Sequence, residues 1–253
     1  MKPGKTARSF ARTATMNNLA GAFVVVMALA ISSLGQMGGG PAELQQKLAA
    51  LKQAAAENKQ RLHQYQWTET TQLTLNGDPK APKQELCSYG PNGQIQKVPI
   101  GEPQQPQQES GRRGRLKEHV VEKKTEEMQD YMQQVQAVIS LYVPPDPQRM
   151  QKAFEAHNVS LNSTLGSGAA QLVFKNYAQP GDQMTIAFDP AAKKIQTLDV
   201  NTYLSDPKDA ITLAVQFASL PDGTNYAAQT VLNAPAKKIQ VTMTNANYSK
   251  LTQ

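Results

Sequence analysis

Ile211-Thr-Leu-Ala-Val-Gln-Phe-Ala218 is the stretch on which the reading of this chain turns. Ile211, Leu213, Val215 and Phe217 alternate with Thr212, Ala214, Gln216 and Ala218. A period of two puts the four large apolar side chains on one face of a strand, whereas a helix would scatter them around its axis. Pro221-Asp222-Gly223 then supplies a turn. A single strand cannot bury such a face, so the neighbouring sequence must provide both more strands and a cover.

Working outward, the same rhythm recurs on both sides. Downstream, Asn225 to Ala234 carries Tyr226, Thr230 and Leu232 on one face. Lys238 to Tyr248 sets Ile239, Val241 and Met243 against Gln240, Thr242 and Thr244. Upstream lie Lys194 to Tyr203 with Ile195, Leu198 and Val200, then Met184, Ile186 and Phe188, then Ala170 to Asn176 with Leu172 and Phe174. Further back, Trp67, Glu69, Thr71, Leu73 and Leu75 alternate with Thr68, Thr70, Gln72 and Thr74. Asn76-Gly77-Asp78 is a hairpin signal, because both central residues tolerate positive φ. Lys83 to Tyr89 reads as the returning strand, and Gln94 to Ile100 as a third, after Pro91-Asn92-Gly93. This gives about eight or nine short strands joined by hairpin-length turns, with no βαβ rhythm, and predicts an antiparallel sheet with one apolar face.

Two longer segments have helical spacing. Leu44, Leu48, Leu51, Ala55, Leu62 and Tyr65 mark a helix from Pro41 to His63. Leu116, Val120, Met128, Met132, Val135, Val138 and Ile139 mark a second from Leu116 to Tyr142, broken by Pro144-Pro145. Asp146-Pro147 is an N-cap with a proline at the first helical position, opening a short helix to His157. The fold class expected is α+β: a strongly curved antiparallel sheet, a half-barrel, packed on amphipathic helices and preceded by a signal segment.

The N-terminus reads as an address. Lys2, Lys5, Arg8 and Arg12 precede an uncharged apolar run from Leu19 to Ala30, and Ala28 and Ala30 form an A-x-A cleavage site. Residues 1–35 are therefore a signal peptide, or alternatively an uncleaved anchor in the inner membrane. Residues 36–40 are a glycine-rich hinge, and 41–253 form the folded domain. Within it, 101–115 (GEPQQPQQESGRRGR) has no apolar residue and is expected to be a disordered loop. Its Arg112, Arg113 and Arg115 offer a contact for a membrane surface. The location expected is periplasmic or secreted.

The net charge is +6, but the four basic residues of the first 35 account for most of it. Without them, 22 basic residues face 20 acidic ones, which does not point to a nucleic-acid partner. Cys87 is the single cysteine, so no internal disulfide can form, and no zinc-ligand spacing is present. His63, His119 and His157 fall in no metal motif, and His119 with Glu122 reads as an i,i+3 helix pair. Neither G-x-S-x-G nor a phosphate-binding glycine loop occurs. No catalytic residue, metal or cofactor is assigned, and the chain is not expected to be an enzyme; a hydrolase with an unrecognised site is the remaining enzymatic reading.

The element order over Pro41 to Gln253 resembles the LolA-like lipoprotein-carrier superfamily, which includes LppX-like and RseB-like proteins. The local likeness is Val215-Gln-Phe-Ala-Ser-Leu-Pro-Asp-Gly-Thr-Asn-Tyr226, then a strand, then a last strand ending at Asn247-Tyr248. The resemblance implies an unclosed β-barrel, apolar inside, with helices as a lid, and binding of acyl chains or lipidated protein. The chain departs from that family in its Gln/Pro/Arg loop and in Pro144-Pro145, and no position matches the carriers' functional arginine. The residues expected to line a ligand site are Trp67, Leu73, Met184, Ile186, Phe188, Leu213, Val215, Phe217, Leu232, Val241 and Met243. The function expected is an exported carrier or binding module for a lipid, acyl chain or lipidated protein. The alternative is an envelope-stress sensor or scaffold of the same fold that binds another protein without a ligand.

Overall fold

The computed structural model describes residues 53, 56–101, 114–163, 170–189, 191–192 and 194–251, excluding the side chains of 114–125, 147 and 163. The signal or anchor segment, the 36–40 hinge and the first part of the Pro41 helix lie outside these residues. So do residues 102–113, with Arg112 and Arg113, and the side chains of Arg115, His119 and Glu122.

Chain order gives helix α1 (56–62), then strands β1 (Tyr65–Leu75), β2 (Asp78–Pro79), β3 (Lys83–Tyr89) and β4 (Ile95–Pro99). Helices α2 (Gly114–Ile139) and α3 (Pro147–Glu155) follow. The rest is β5 (Val159–Ser163), β6 (Ala170–Lys175), β7 (Gln183–Asp189), β8 (Lys194–Tyr203), β9 (Ala210–Ser219), β10 (Asn225–Ala234) and β11 (Ile239–Lys250). All eleven strands belong to one sheet, ordered β4-β3-β1-β11-β10-β9-β8-β7-β6-β5, with β2 paired to β1. Every pairing is antiparallel. Among the described residues the sheet is open, with β4 and β5 at its edges.

Local chemistry sets the connections. Asn76 and Gly77 have φ of 54° and 83°, so the two-residue loop adopts the mirror-image geometry that suits the strand twist. Asp146 caps α3: its Oδ1 accepts from the Gln148 backbone N–H at 2.8 Å, and Pro147 follows at the first helical position. Strands β5 to β11 form a meander, and β1 joins β11 from Tyr65↔Lys250 to Leu75↔Ile239, so the first and last long strands are neighbours. Register shifts at Gln66/Thr68, Ala187/Phe188 and Ala227/Gln229 interrupt the ladders; such bulges bend and twist a sheet locally.

One face carries the core. Leu172, Ile186, Leu198 and Val215 lie in line across β6, β7, β8 and β9, and Leu213, Leu232, Val241 and Leu73 across β9, β10, β11 and β1. These share a buried cluster with Tyr131, Met132, Val135 and Ile139 of α2 and Met150 and Ala153 of α3; Leu73 packs at its margin. Each fully buried side chain of this size contributes about 1.5–3 kcal/mol of transfer free energy. Leu86, Val98 and Ile100, near the β4 edge, are exposed instead.

Helix α2 is pinned through its C-terminal turn. The Tyr142 hydroxyl is buried, donates to Asp182 Oδ2 at 2.6 Å and bonds Thr202 Oγ1 at 2.7 Å. Asp182 also accepts from the backbone N–H groups of Tyr177, Ala178 and Gln179. A buried carboxylate with four donors is satisfied, and it ties the β6–β7 turn to α2.

Three expectations need correction. Among the described residues the strands number eleven, because β5 follows α3 directly and β2 is a two-residue return. Asn158-Val-Ser-Leu-Asn carries only two apolar residues in alternation, too short a pattern to register alone. Helix α2 begins at Gly114, inside the segment expected to be loop, and ends at Ile139, before a turn that reaches Pro145. The bulge in β10 puts Ala227, not Tyr226, on the face that carries Thr230 and Leu232.

Candidate functional site

Of the eleven residues expected to line a site, Met184, Ile186, Phe188, Leu213, Val215, Leu232, Val241 and Met243 are buried in the core cluster. Leu73 and Phe217 pack at its margin. Trp67 stands apart from that cluster, in a polar and aromatic group where β11, β1, β3 and β4 meet.

That group is built from register. Trp67 is opposite Cys87, and Cys87 opposite Lys97. One step along, Asn245, Glu69 and Glu85 lie in line across β11, β1 and β3. Because side chains alternate, these residues face the same side as the apolar core. Trp67 is 5% exposed, Glu69 3%, Glu85 4% and Cys87 0%. Placing two acids opposite each other is unfavourable unless both are compensated. Lys97 Nζ meets Glu69 Oε1 at 2.6 Å, both side chains being buried, and Lys83 Nζ meets Glu85 Oε1 at 2.7 Å. The Thr71 hydroxyl donates to the same Glu69 oxygen at 3.4 Å.

Aromatic rings adjoin the charges. Trp67 and Tyr248 stack, with centroids 5.5 Å apart and planes at 11°, and Tyr89 leans on Trp67 at 5.5 Å. Tyr226 reaches Tyr248 at 4.3 Å, and His63 stacks on Tyr89 at 4.3 Å. Among the described residues six buried side-chain polar atoms have no hydrogen-bond partner, and three of them belong to this group: Trp67 Nε1, Asn245 Oδ1 and His63 Nε2. Asn245 Nδ2 donates to Ala227 O at 2.9 Å, which fixes the amide orientation and leaves Oδ1 facing away from that bond.

The electrostatics are those of a desolvated site. Burial, reinforced by the Glu69 carboxylate, pushes the Cys87 thiol up to about 12, so it carries no thiolate at neutral pH. Burial raises the Tyr89 and Tyr248 hydroxyls, so both stay protonated. Burial, then Lys59, lowers His63 and favours its neutral form. Among the described residues, no group of three His, Cys, Asp or Glu could hold a metal ion.

Sequence reasoning listed Trp67 and left out Glu69, Glu85, Lys97, Asn245, Tyr89 and Tyr248. A signal existed for the acids: the period of two puts Glu69 on the face of Trp67, Leu73 and Leu75, and Glu85 on that of Cys87 and Tyr89, whereas Lys97 shares a face with Ile95 and the pair Val98 and Ile100 lies on the other.

The class that fold and site define is an open antiparallel sheet wrapped on helices, with an apolar core and one buried charged and aromatic end. No family model matches the chain, and no curated protein matches it. Among solved structures, the chain is similar to a DUF1329 family protein from Desulfovibrio piger at 10% identity and a TM-score of 0.36, over 80% of this chain and 92% of that one.

Proposed function

We propose that this chain is an exported binding or carrier module for a lipid, an acyl chain or a lipidated protein, acting in the periplasm or outside the cell and catalysing no reaction. The observation that carries the reading is the sheet itself. Ten strands side by side present one continuous inner face, apolar from β5 to β1, and among the described residues the path ends at β4 and β5 instead of closing. A half-barrel of this kind, lidded by helices, can part from its lid and take an apolar guest without breaking a strand ladder. Each buried methylene contributes about 0.8 kcal/mol, so a chain of about ten carbons binds usefully without polar recognition. Arg112, Arg113 and Arg115 would then meet an anionic membrane surface during exchange. Native mass spectrometry of the chain purified from the cell envelope tests the proposal. The expected result is a complex heavier by one lipid or acyl chain. Bare protein, both as isolated and after incubation with envelope lipids, overturns it.

One observation favours the alternative, a scaffold or stress sensor that binds another protein. Leu86 and Val98 are direct cross-strand neighbours, and with Ile100 they stay 38–61% exposed beside the open β4 edge. An exposed apolar group beside unpaired backbone is where an extended segment of another protein can add to a sheet.

A further inference from the structure

We propose that the charged and aromatic end of the inner face is a head-group subsite for a zwitterion carrying a primary ammonium and a nearby anionic oxygen, the chemistry of an aminophospholipid head group. The inference rests on the lipid-binding reading and adds the ligand class to it.

Charge balance is the first argument. Glu69 and Glu85 are compensated by Lys97 and Lys83, so the group is neutral as it stands. A guest with net charge would leave an uncompensated charge in a desolvated site, a strongly unfavourable outcome. A neutral zwitterion adds none. Unmet hydrogen-bonding capacity is the second. Asn245 Oδ1 is a buried acceptor without a donor, directly opposite Glu69. Trp67 Nε1–H is a buried donor without an acceptor, two residues along the same strand and face. An ammonium supplies N–H donors to the row of Asn245, Glu69 and Glu85, and a phosphate or ester oxygen supplies the acceptor for Trp67. Two residues of strand span about 7 Å, so the two demands fall within the reach of one small zwitterion. The rings are the third. Trp67 shares its strand face with Glu69 two residues on, Tyr89 and Tyr248 pack on its ring, and aromatic faces attract cations.

Trp67 is the only tryptophan, so its emission reports on this end alone. The experiment titrates the purified chain with short-chain phosphatidylethanolamine, phosphatidylcholine and phosphatidylglycerol of identical acyl chains, and with free glycerophosphoethanolamine, the neutral phosphodiester head group. The subsite predicts that phosphatidylethanolamine shifts Trp67 emission and binds about tenfold or more tighter than the other two, the scale of one charge-assisted hydrogen bond. Glu85→Gln should erase the preference for phosphatidylethanolamine over phosphatidylcholine with the far-ultraviolet circular dichroism unchanged, and phosphatidylglycerol, meeting a group made more positive by the loss of the carboxylate opposite Lys83, should bind no more weakly than before. Equal binding of all three lipids overturns the subsite and leaves the carrier reading standing. No lipid binding, with a saturable Trp67 response to glycerophosphoethanolamine, supports the subsite and overturns the carrier. No response to any probe overturns both.

Discussion

Tyr142→Phe separates hydrogen bonding from packing at the joint that holds α2 on the sheet. The ring is fully buried and tilted against Tyr177 at 5.6 Å, and phenylalanine keeps that contact. What disappears is a 2.6 Å bond to the Asp182 carboxylate and a 2.7 Å bond with Thr202. A hydrogen bond to a charged group contributes about 1.5–3 kcal/mol net and a neutral one about 0.5–1.5. Neither partner is orphaned: Asp182 keeps three backbone donors, and Thr202 Oγ1 still accepts from Gln179 Nε2 at 2.7 Å. The loss should therefore lie near the lower end of the sum, about 2–3 kcal/mol. Asp182→Ala is the contrast, because it strips the acceptor from three backbone N–H groups and from Tyr142 at once, and should cost about 4 kcal/mol or more. Urea unfolding followed by circular dichroism measures both. The expected result is a lower midpoint at unchanged slope, with the two variants well separated. A Tyr142→Phe loss below about 0.5 kcal/mol, or one equal to that of Asp182→Ala, would refute the claim that the Asp182 carboxylate ties α2 to the β6–β7 turn.

Further outcomes follow from the same coordinates. Lys97→Met should destabilise by about 3–5 kcal/mol in urea unfolding, since it leaves Glu69 buried without its partner, and Glu69→Gln in the same chain should recover much of the loss. Cys87, with its thiol held up near 12 by burial, should resist iodoacetamide at pH 8 in the folded chain and react fully in denaturant, read by intact mass. Asp222 is held down at about 2, chiefly by the hydrogen bond from Tyr65. A lowered carboxylate contributes stability above its ordinary value of 3.8 and loses it as pH falls toward 2. Tyr65→Phe should therefore flatten the loss of stability between about pH 4 and 2, measured by urea midpoints across that range.

The sequence alone determined the strands other than β2 and β5, because a period of two is a local property. Ile211 to Phe217 could face one way only as a strand, and Asn76-Gly77 and Asp146-Pro147 carry their turn and cap within two or three residues. It determined the inner apolar set for the same reason, since burial of one face is written in every other residue. Strand order, however, is a contact between residues far apart in the chain. That β1 lies against β11, with Glu69 opposite both Asn245 and Glu85, was decided only when the ladders formed. The acids at positions 69 and 85 therefore looked like interruptions of an apolar pattern. In the folded sheet they sit side by side, because register turns two isolated exceptions into one neutralised, buried group.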